Sequence, residues 1–398
     1  MKSRKTYVWK IAQMDLFSGT KHARMKIRPF AAIIPNEKLI SSPDSFFNNV
    51  KYDFTKYVKN GFFRKTEQEA FYVYEIKREG QRHLGLLVTI DIEDYIQGKI
   101  KVHENTLAAK EQKTTDLIME REAMIKPVML SYPGRDEIED LLKELRKNTS
   151  KFYSFTLDDG AVKHKIYRVS DAAQLKRIQE LFESVEALYI ADGHHRTSTT
   201  ANLYRMQAEE QAGFDLRWLH AGIFAFEHLE INDYNRVVDA LDAMSAAQLV
   251  VHLSHYFHIK PLEGPAKPKE KFHIHMFLED EWYELRWKKE YIAINDEEPV
   301  LLDAALFDRY VLGGIVGIED VRNDDRVSYV QGPKGLEGVM KKARKSEDRV
   351  GFCLPPVSTE EFIAVSDARK TLPPKSTWFE PRLKNGLLVQ GLTGSCVD

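Results

Sequence analysis

The sequence predicts a mixed α/β fold with more than one domain. Its 398 residues exceed the length of a typical single domain. Short apolar segments alternate with helical patterns up to about residue 245, which favours an α/β core. Beyond that point the pattern changes to a helix, a hairpin and shorter elements. We therefore expect an N-terminal extension at 1–24, an α/β region that carries the candidate site at 25–245, and an α+β region at 246–398.

The first region opens with strands and short helices. Phe30–Ile34 is a short apolar run ended by a proline, which is typical of an edge strand. Ala70–Ile76 and His83–Ile90 are apolar runs separated by a polar turn, so they predict a hairpin. A short helix should follow as far as Gly98, and a polar helix is expected from Leu107 to Met124.

The alternation continues with a strand, a helix and a second hairpin. Val128–Tyr132 predicts a strand, and Asp136–Lys147 predicts an amphipathic helix because its apolar residues share one face. Lys151–Leu157 and His164–Val169 flank the turn Asp158-Asp-Gly160, which is a strong hairpin signal.

A capped helix and a buried strand lead to the candidate site. Ser170 and Asp171 can cap a helix that runs through Ser184, and Ala187–Ala191 predicts a short buried strand. The remaining predicted elements are a helix at Thr197–Gln211, a strand at Trp218–Phe226, a helix at Ala246–Tyr256, and a hairpin of Phe272–Phe277 with Trp282–Trp287.

The composition is that of a globular protein and excludes several functional classes. Hydrophobic residues make up 43% and the formal net charge is −2, so no bulk positive field indicates nucleic-acid binding. Cys353 and Cys396 are the two cysteines, too few for a disulfide framework or a four-thiolate zinc site. The longest apolar stretches, such as Leu84–Ile90, are far too short to span a bilayer.

The first 24 residues contain no apolar run that could form the core of a signal peptide. We interpret them as an extension before a native start at Met25, with a short structured arm as the alternative. The expectation is a cytoplasmic protein that acts on a small molecule, without membrane or nucleic-acid partners. The sequence leaves open whether the protein forms a homo-oligomer.

The strongest local motif is Asp-Gly-His-His-Arg at residues 192–196, between a buried strand and a helix. Gly193 allows a sharp turn, and the first N–H groups of the helix lack intrahelical partners. Together with Arg196 and the hydroxyls of Thr197 and Ser198, these groups suit a phosphate.

The charged and imidazole groups of this motif leave alternatives open. Asp192 could bind Mg²⁺ or accept a proton from a hydroxyl substrate, or it could simply cap the helix. His194 and His195 diverge by about 100° on a helix, which disfavours joint ligation of one zinc ion. On spacing alone, a phosphate site and a purely structural role are about equally favoured.

A second candidate site follows a strand, at Lys101–Thr106. His103 and Thr106 are weaker candidates for substrate contacts, and Glu104 is a candidate acid or base. If the fold brings Glu104 near Asp192, the two carboxylates could share metal binding and base duty. The alternative is that Asn105 or Thr106 caps the next helix.

Two further segments are weaker candidates. Lys375, with Ser376 and Thr377 in a proline-flanked loop, suits a phosphate contact but lacks the glycine-rich pattern of a P-loop. A packed tail is the alternative for this loop. Arg236 is expected to be a surface or ion-pair residue, with a substrate contact as the second interpretation.

Several segments together resemble a family long catalogued as a domain of unknown function. In chain order they are Ile27–Ile33, His103-Glu104-x-Thr106, Ala191–Arg196, Pro374–Phe379 and Gly386-Leu-Leu388. The resemblance covers about Met25 to Leu392. One departure is Asp233-Tyr-Asn235-Arg236, where the family usually has Pro-Thr-His-Arg.

The Asp-Gly-His-His-Arg segment also resembles the signature of the ParB/sulfiredoxin-like superfamily. This resemblance implies a ParB/sulfiredoxin-like core that binds nucleotide phosphates at the helix start. The nearest chemical analogy is the free serine kinase, which converts L-serine to O-phosphoserine. It implies that Asp192 assists the substrate hydroxyl or Mg²⁺, while Gly193, His194, His195 and Arg196 hold phosphates.

We therefore expect a small-molecule phosphotransferase, specifically a free L-serine kinase that uses ATP, ADP or pyrophosphate with Mg²⁺. Asp192, Glu104 and His194 are its expected catalytic residues, and the two carboxylates its expected Mg²⁺ ligands. One rival is a ParB-like nucleotide-responsive binding protein, which the near-neutral charge disfavours. The other is a phosphatase or hydrolase that uses the same phosphate cradle.

Overall fold

The computed structural model describes residues 24–210, 213–292 and 300–393. Nearly all of the expected N-terminal extension and Cys396 lie outside these residues. Within them the chain forms 21 strands and ten α-helices.

The strands in chain order are β1 Ile27–Arg28, β2 Ala32–Pro35, β3 Phe63–Lys65, β4 Phe71–Arg78, β5 Gln81–Asp91, β6 Ile100–Lys101, β7 Ala123–Met124, β8 Val128–Tyr132, β9 Lys151–Leu157, β10 Val162–Val169, β11 Leu188–Asp192, β12 Trp218–Ala225, β13 Glu230–Asn232, β14 Tyr234–Asp239, β15 Phe257–Leu262, β16 His273–Leu278, β17 Glu281–Trp287, β18 Val327–Gln331, β19 Arg349–Cys353, β20 Trp378–Glu380 and β21 Val389–Gly391. The α-helices are α1 Pro43–Lys59, α2 Ile92–Ile96, α3 Ala108–Arg121, α4 Asp136–Asn148, α5 Ala172–Glu183, α6 His194–Glu210, α7 Ala246–Tyr256, α8 Asp303–Leu306, α9 Gly335–Ala343 and α10 Thr359–Asp367.

A nine-stranded sheet organises the first half of the chain. Its strand order is β6-β11-β8-β12-β5-β4-β10-β9, and β1 pairs with β5. Alternate residues of β4 enter different cores, because Phe71 and Val73 pack on one face and Tyr72 and Tyr74 on the other. Helix α1 covers the face with the tyrosines, and α4 and α5 cover the opposite face. The sheet is therefore buried on both sides.

A six-stranded sheet organises most of the second half, in the order β15-β17-β16-β19-β14-β18. Helices α7 and α8 pack on one of its faces and α9 on the other. Strand β14 precedes residue 245, while β20 and β21 pair with β13 and with β2 and β7. The expected division at residue 245 stays a prediction, but strand pairing crosses this residue in both directions. Strand β14 lies before it and belongs to the six-stranded sheet, whereas β20 and β21 lie after it and pair with strands before it in two smaller sheets.

The mixed α/β class is confirmed by these sheets and helices. The three predicted hairpins are present as β4–β5, β9–β10 and β16–β17. The helix expected from Thr197 instead begins at His194. Gly193 explains this difference: its φ of +113° turns the chain directly out of β11 into the helix.

Helix length and composition also bear on membrane insertion. Among the helices within the described residues, none combines the length and the apolar composition needed to cross a bilayer.

Two buried histidines of the nine-stranded sheet should make the protein's stability depend on pH. Burial lowers the pKa of His164 from 6.5 to about 4, and it does the same for His220. Because the unfolded chain binds more protons than the folded one between these values, stability should fall as the pH drops from about 6.5 towards 4. Each histidine contributes on the order of 3 kcal/mol to this loss.

Urea unfolding at neutral pH and at about pH 5 measures the effect. We expect His164→Gln to reduce the difference between the two conditions. His255→Gln, at an exposed position of α7, is the control and should leave the difference unchanged. An unchanged difference in both variants would contradict the assignment.

Candidate functional site

The candidate site lies at the edge of the nine-stranded sheet where β6 and β11 end. These strands are parallel neighbours, with Leu188 opposite Ile100. Because parallel strands end at the same edge, His103 and Glu104, which follow β6, lie beside the residues that follow β11. Strand β8 runs antiparallel to β11, so Lys126, two residues before β8, comes to the same edge.

A cavity of about 250 Å³ opens at this edge. Ten of the expected site residues line it: His103, Glu104, Asp192, Gly193, His194, His195, Arg196, Lys375, Ser376 and Thr377. The C-terminal loop reaches the central site, where the amide of Leu372 donates a 2.8 Å hydrogen bond to the carbonyl of His103.

The hydroxyls expected at the helix start do not line this cavity. Thr197 is buried, and its hydroxyl donates to the carbonyl of Gly193 at 3.2 Å. Ser198 donates to the carboxylate of Glu111 on α3. These hydroxyls therefore stabilise the first turn of α6 and its contact with α3.

Two other expected residues also lie outside the cavity lining, Thr106 and Arg236. The N-cap residue of α3 is Leu107, so the alternative in which Asn105 or Thr106 caps this helix is wrong. Arg236 is only 1% exposed within β14, so of the two expected alternatives the surface position is wrong and the ion pair is present. Its guanidinium forms an ion pair with Asp308 at 3.7 Å.

Asp192 lies at the centre of an ion-pair cluster. Its Oδ2 accepts hydrogen bonds from Lys126 and Arg196, both at 2.9 Å, and its Oδ1 accepts one from Arg382 at 2.7 Å. Burial alone would raise the pKa of Asp192, but the three cations together hold this pKa well below its usual range. Asp192 is therefore a permanent anion at neutral pH, and both of its oxygens already bind cationic donors.

Gly193 allows this cluster to form. A Cβ atom at this position would lie 2.7 Å from a terminal nitrogen of Arg196. Its positive φ is also unfavourable for any other residue type. The glycine thus lets the guanidinium of Arg196 fold back onto Asp192.

Lys126 and Arg382 are site residues that sequence reasoning missed. The guanidinium of Arg382 lies 3.9 Å from the centre of the Trp378 ring, which fixes its plane. Burial lowers the pKa of Lys126, while its ion pair with Asp192 opposes this effect. Arg382 follows the proline-flanked loop closely and Lys126 precedes a proline, but neither pattern is specific enough to reveal its role.

Two buried histidines form one wall of the cavity. The rings of His103 and His194 are perpendicular, with centres 4.3 Å apart. Burial lowers the pKa of His194 to about 4 and that of His103 well below its usual range, so both are neutral at pH 7. Glu104 is half exposed, with its Oε2 at 3.9 Å from Nδ1 of His194. His195 faces the start of α3, where its Nε2 accepts the amide hydrogen of Leu107 at 3.2 Å.

A second and larger cavity of about 540 Å³ adjoins the first. The two cavities share Thr114 and Arg196 in their linings. The larger one has apolar walls that include Leu117 and Ile118. Arg196 thus stands between a polar cavity and a mainly apolar one.

The family described as "Protein of unknown function (DUF1015)" matches residues 27–305. The chain belongs to this family. The membership confirms the resemblance inferred from the motifs, and the matched segment includes both His103-Glu104 and residues 192–196. Lys375 and Arg382 lie beyond the matched residues. Comparison with curated proteins gives no match.

Solved structures give distant similarities. A mutant free serine kinase in complex with AMP aligns over 78% of this chain and 94% of its own, at 13% identity and a TM-score of 0.37. SbnI with a C-terminal truncation, from Staphylococcus aureus, aligns over 75% of this chain and 85% of its own, at 12% identity and a TM-score of 0.38. A conserved hypothetical protein from Pyrococcus furiosus aligns over 78% of this chain and 97% of its own, at 12% identity and a TM-score of 0.36.

Replacing Asp192 by Asn should destabilise the protein, because three cations would then face one another without a counter-charge. We expect a loss of about 2 kcal/mol in the free energy of unfolding, measured with urea. Added phosphate should restore part of it by taking the place of the carboxylate. The control is Asp280→Asn, which removes an exposed partner of Arg344 and should cost less than about 1 kcal/mol. Equal losses in the two variants would show that the cluster does not depend on Asp192.

Proposed function

We propose that the protein is a phosphotransferase that moves a phosphoryl group from a phosphate donor to the hydroxyl of a small molecule, with L-serine as the first acceptor to test. The observation that carries this proposal is the convergence of cations on the cavity. Five cationic side chains lie in or beside it, against the two carboxylates of Glu104 and Asp192: Lys110, Lys126, Arg196, Lys375 and Arg382.

This excess of positive charge favours a ligand with several anionic oxygens. Lys126, Arg196 and Arg382 share a single carboxylate, so they retain capacity for further hydrogen bonds. The Nε of Arg196 is buried and has no hydrogen-bond partner within the described part of the chain. Phosphate and pyrophosphate groups supply the acceptors that such donors require.

Glu104 is the residue that we assign as the general base. Its carboxylate is half exposed at the cavity and lies beside His194 rather than inside the cation cluster. In the proposed step the acceptor hydroxyl oxygen attacks phosphorus, and the bond from phosphorus to the leaving phosphate oxygen breaks. Glu104 takes the hydroxyl proton, while the cations stabilise the charge on the transferred and leaving groups.

The two adjoining cavities bear on the choice of donor. Pyrophosphate needs only the polar cavity, whereas ATP or ADP also needs room for a nucleoside. The larger cavity has apolar walls and meets the polar one at Arg196, so it is the place where we propose that a nucleoside would bind.

Magnesium does not fit Asp192. Both oxygens of this carboxylate accept hydrogen bonds from cationic donors, so a metal ion could bind there only by displacing them. We therefore assign Asp192 the task of positioning Lys126, Arg196 and Arg382, and no step of the proposal passes through a metal ion.

Phosphorus NMR tests the reaction. The purified protein is given L-serine and Mg²⁺, with ATP, ADP and pyrophosphate in separate samples. We expect a phosphoserine signal with one donor, and we expect Glu104→Gln to slow its formation about 100-fold or more. Glu347→Gln, at an exposed position remote from the cavity, is the matched control.

Each other outcome of this experiment has a definite meaning. Release of free phosphate without phosphoserine would replace the kinase with a hydrolase. Absence of turnover with all three donors would overturn the proposal and favour a nucleotide-responsive binding protein.

Pyrophosphate binding tests the cation cluster separately from turnover. Arg382→Gln removes one donor from the cavity, so we expect pyrophosphate to bind about tenfold more weakly, as measured by calorimetry. Arg344→Gln removes an exposed arginine of the second sheet region and should leave the affinity unchanged. Equal affinity in both variants would remove Arg382 from the ligand site.

A further inference from the structure

We infer that His103, Glu104 and His194 form a binding site for a first-row divalent transition metal such as Zn²⁺. Each residue offers one ligand atom, either an imidazole nitrogen or a carboxylate oxygen. These three atoms lie within 4.8 Å of one another. All three residues line the polar cavity, so a cation bound to them would be accessible from it.

His103 supplies an independent observation in favour of a ligand. Its side chain is only 4% exposed, and its Nδ1 has no hydrogen-bond partner among the residues that the structure describes. A hydrogen bond joins its ring to the backbone of Ile190. Since Nδ1 makes no bond, the other ring nitrogen carries the proton that the Ile190 carbonyl accepts. The lone pair of Nδ1 therefore has no hydrogen-bond donor among the described residues.

This arrangement is the one that orients histidine ligands in metal sites. Such histidines commonly donate their second ring N–H to a backbone carbonyl, which fixes both the tautomer and the direction of the ring. The perpendicular contact with His194, at 4.3 Å between ring centres, and the contact with Phe362, at 4.6 Å, hold His103 in place. An unpaired buried nitrogen costs free energy, and a metal ion would remove that cost.

The donor set selects the class of metal. Two imidazole nitrogens and one carboxylate oxygen suit zinc and its first-row neighbours, whereas Mg²⁺ and Ca²⁺ prefer sites made of oxygen alone. Metal–ligand distances of about 2 Å require the ligand atoms to approach one another further. Glu104 is half exposed and can make this adjustment by rotating its side chain.

Three protein ligands leave at least one coordination position for a bound molecule, which is typical of catalytic rather than structural zinc sites. A cation here would polarise an oxygen atom held at that position. With a cation bound, Glu104 would be a ligand and no longer the base, and the proton of a hydroxyl bound to the cation would pass to water. Metal binding goes beyond the proposed phosphoryl transfer and does not depend on it.

Direct metal binding tests the inference. The full chain is freed of metal with a chelator and titrated with Zn²⁺ by calorimetry, and a parallel sample receives Co²⁺ for visible absorption spectroscopy. We expect one equivalent of Zn²⁺ to bind, visible bands of Co²⁺ in a low-symmetry N/O site, and no heat from Mg²⁺ at the same concentration. His103→Ala and Glu104→Gln should each weaken Zn²⁺ binding by about 100-fold or more.

The matched control is His195→Gln, the neighbouring residue of α6 in the same cavity, which is not one of the three residues whose ligand atoms converge. This variant should retain Zn²⁺ affinity and the Co²⁺ spectrum. Circular dichroism establishes that each variant is folded, and the half-exposed Glu104→Gln keeps the test decisive if the buried His103→Ala does not fold. Unchanged Zn²⁺ binding in Glu104→Gln, or equal loss in His195→Gln, would overturn the assignment.

The two proposals can fail separately. Zinc binding without any phosphoserine would reject the phosphotransferase and retain the metal site. Phosphoserine formation by a protein that binds no zinc would do the reverse.

Discussion

The charge of Asp192 holds together the parts of the chain that build the site. Lys126 comes from the segment before β8, Arg196 from the first turn of α6, and Arg382 from the segment after β20. Brought to one place without a counter-charge, these three cations would repel one another. The carboxylate therefore fixes the positions of hydrogen-bond donors that come from distant parts of the sequence. Apolar packing cannot do this, because this edge of the sheet is polar.

The strand order determines which segments can take part. Because β6 and β11 are parallel neighbours, the peptide after each strand emerges on the same side of the sheet. The aromatic rings of Phe362 and Phe379 then pack against His103, at 4.6 and 6.2 Å between ring centres. The second half of the chain thus contributes both a wall of the cavity and the apolar support of its histidine pair, and this support restricts the side chains to defined positions.

Local patterns in the sequence predicted local structure well and distant pairing poorly. Apolar runs around a polar turn identified the hairpin β4–β5, and the turn Asp158-Asp-Gly160 identified β9–β10. The motif at residues 192–196 lies at the expected junction of a strand and a helix. Lys126 and Arg382 were missed because nothing in their own segments shows that both approach Asp192. That information resides in the order of the strands and in the return of the C-terminal segment.

The hydroxyls of α6 show a different limit. Thr197 and Thr200 each lie four residues after a carbonyl of the first turn, and each donates its hydroxyl to that carbonyl. Threonine and serine in helices commonly make this bond, so clustered hydroxyls at a helix start do not by themselves indicate a ligand. The prediction of a hydroxyl cradle assumed that the helix begins at Thr197, and the earlier start at His194 places these side chains within the helix, where the backbone satisfies them.

The same carboxylate that arranges the cations must also limit how tightly they bind an anion. A phosphate entering the cavity competes with Asp192 for Lys126, Arg196 and Arg382, and both anions lie at the N-terminal end of α6, where the helix dipole favours negative charge. Without Asp192 the cations would attract phosphate more strongly, but their mutual repulsion would leave them without defined positions. Catalysis gains from fixed positions and from release of the product more than from tight binding of the substrate. For the proposed phosphoryl transfer, a cation cluster organised around its own carboxylate is therefore better suited than one that binds phosphate as tightly as it can.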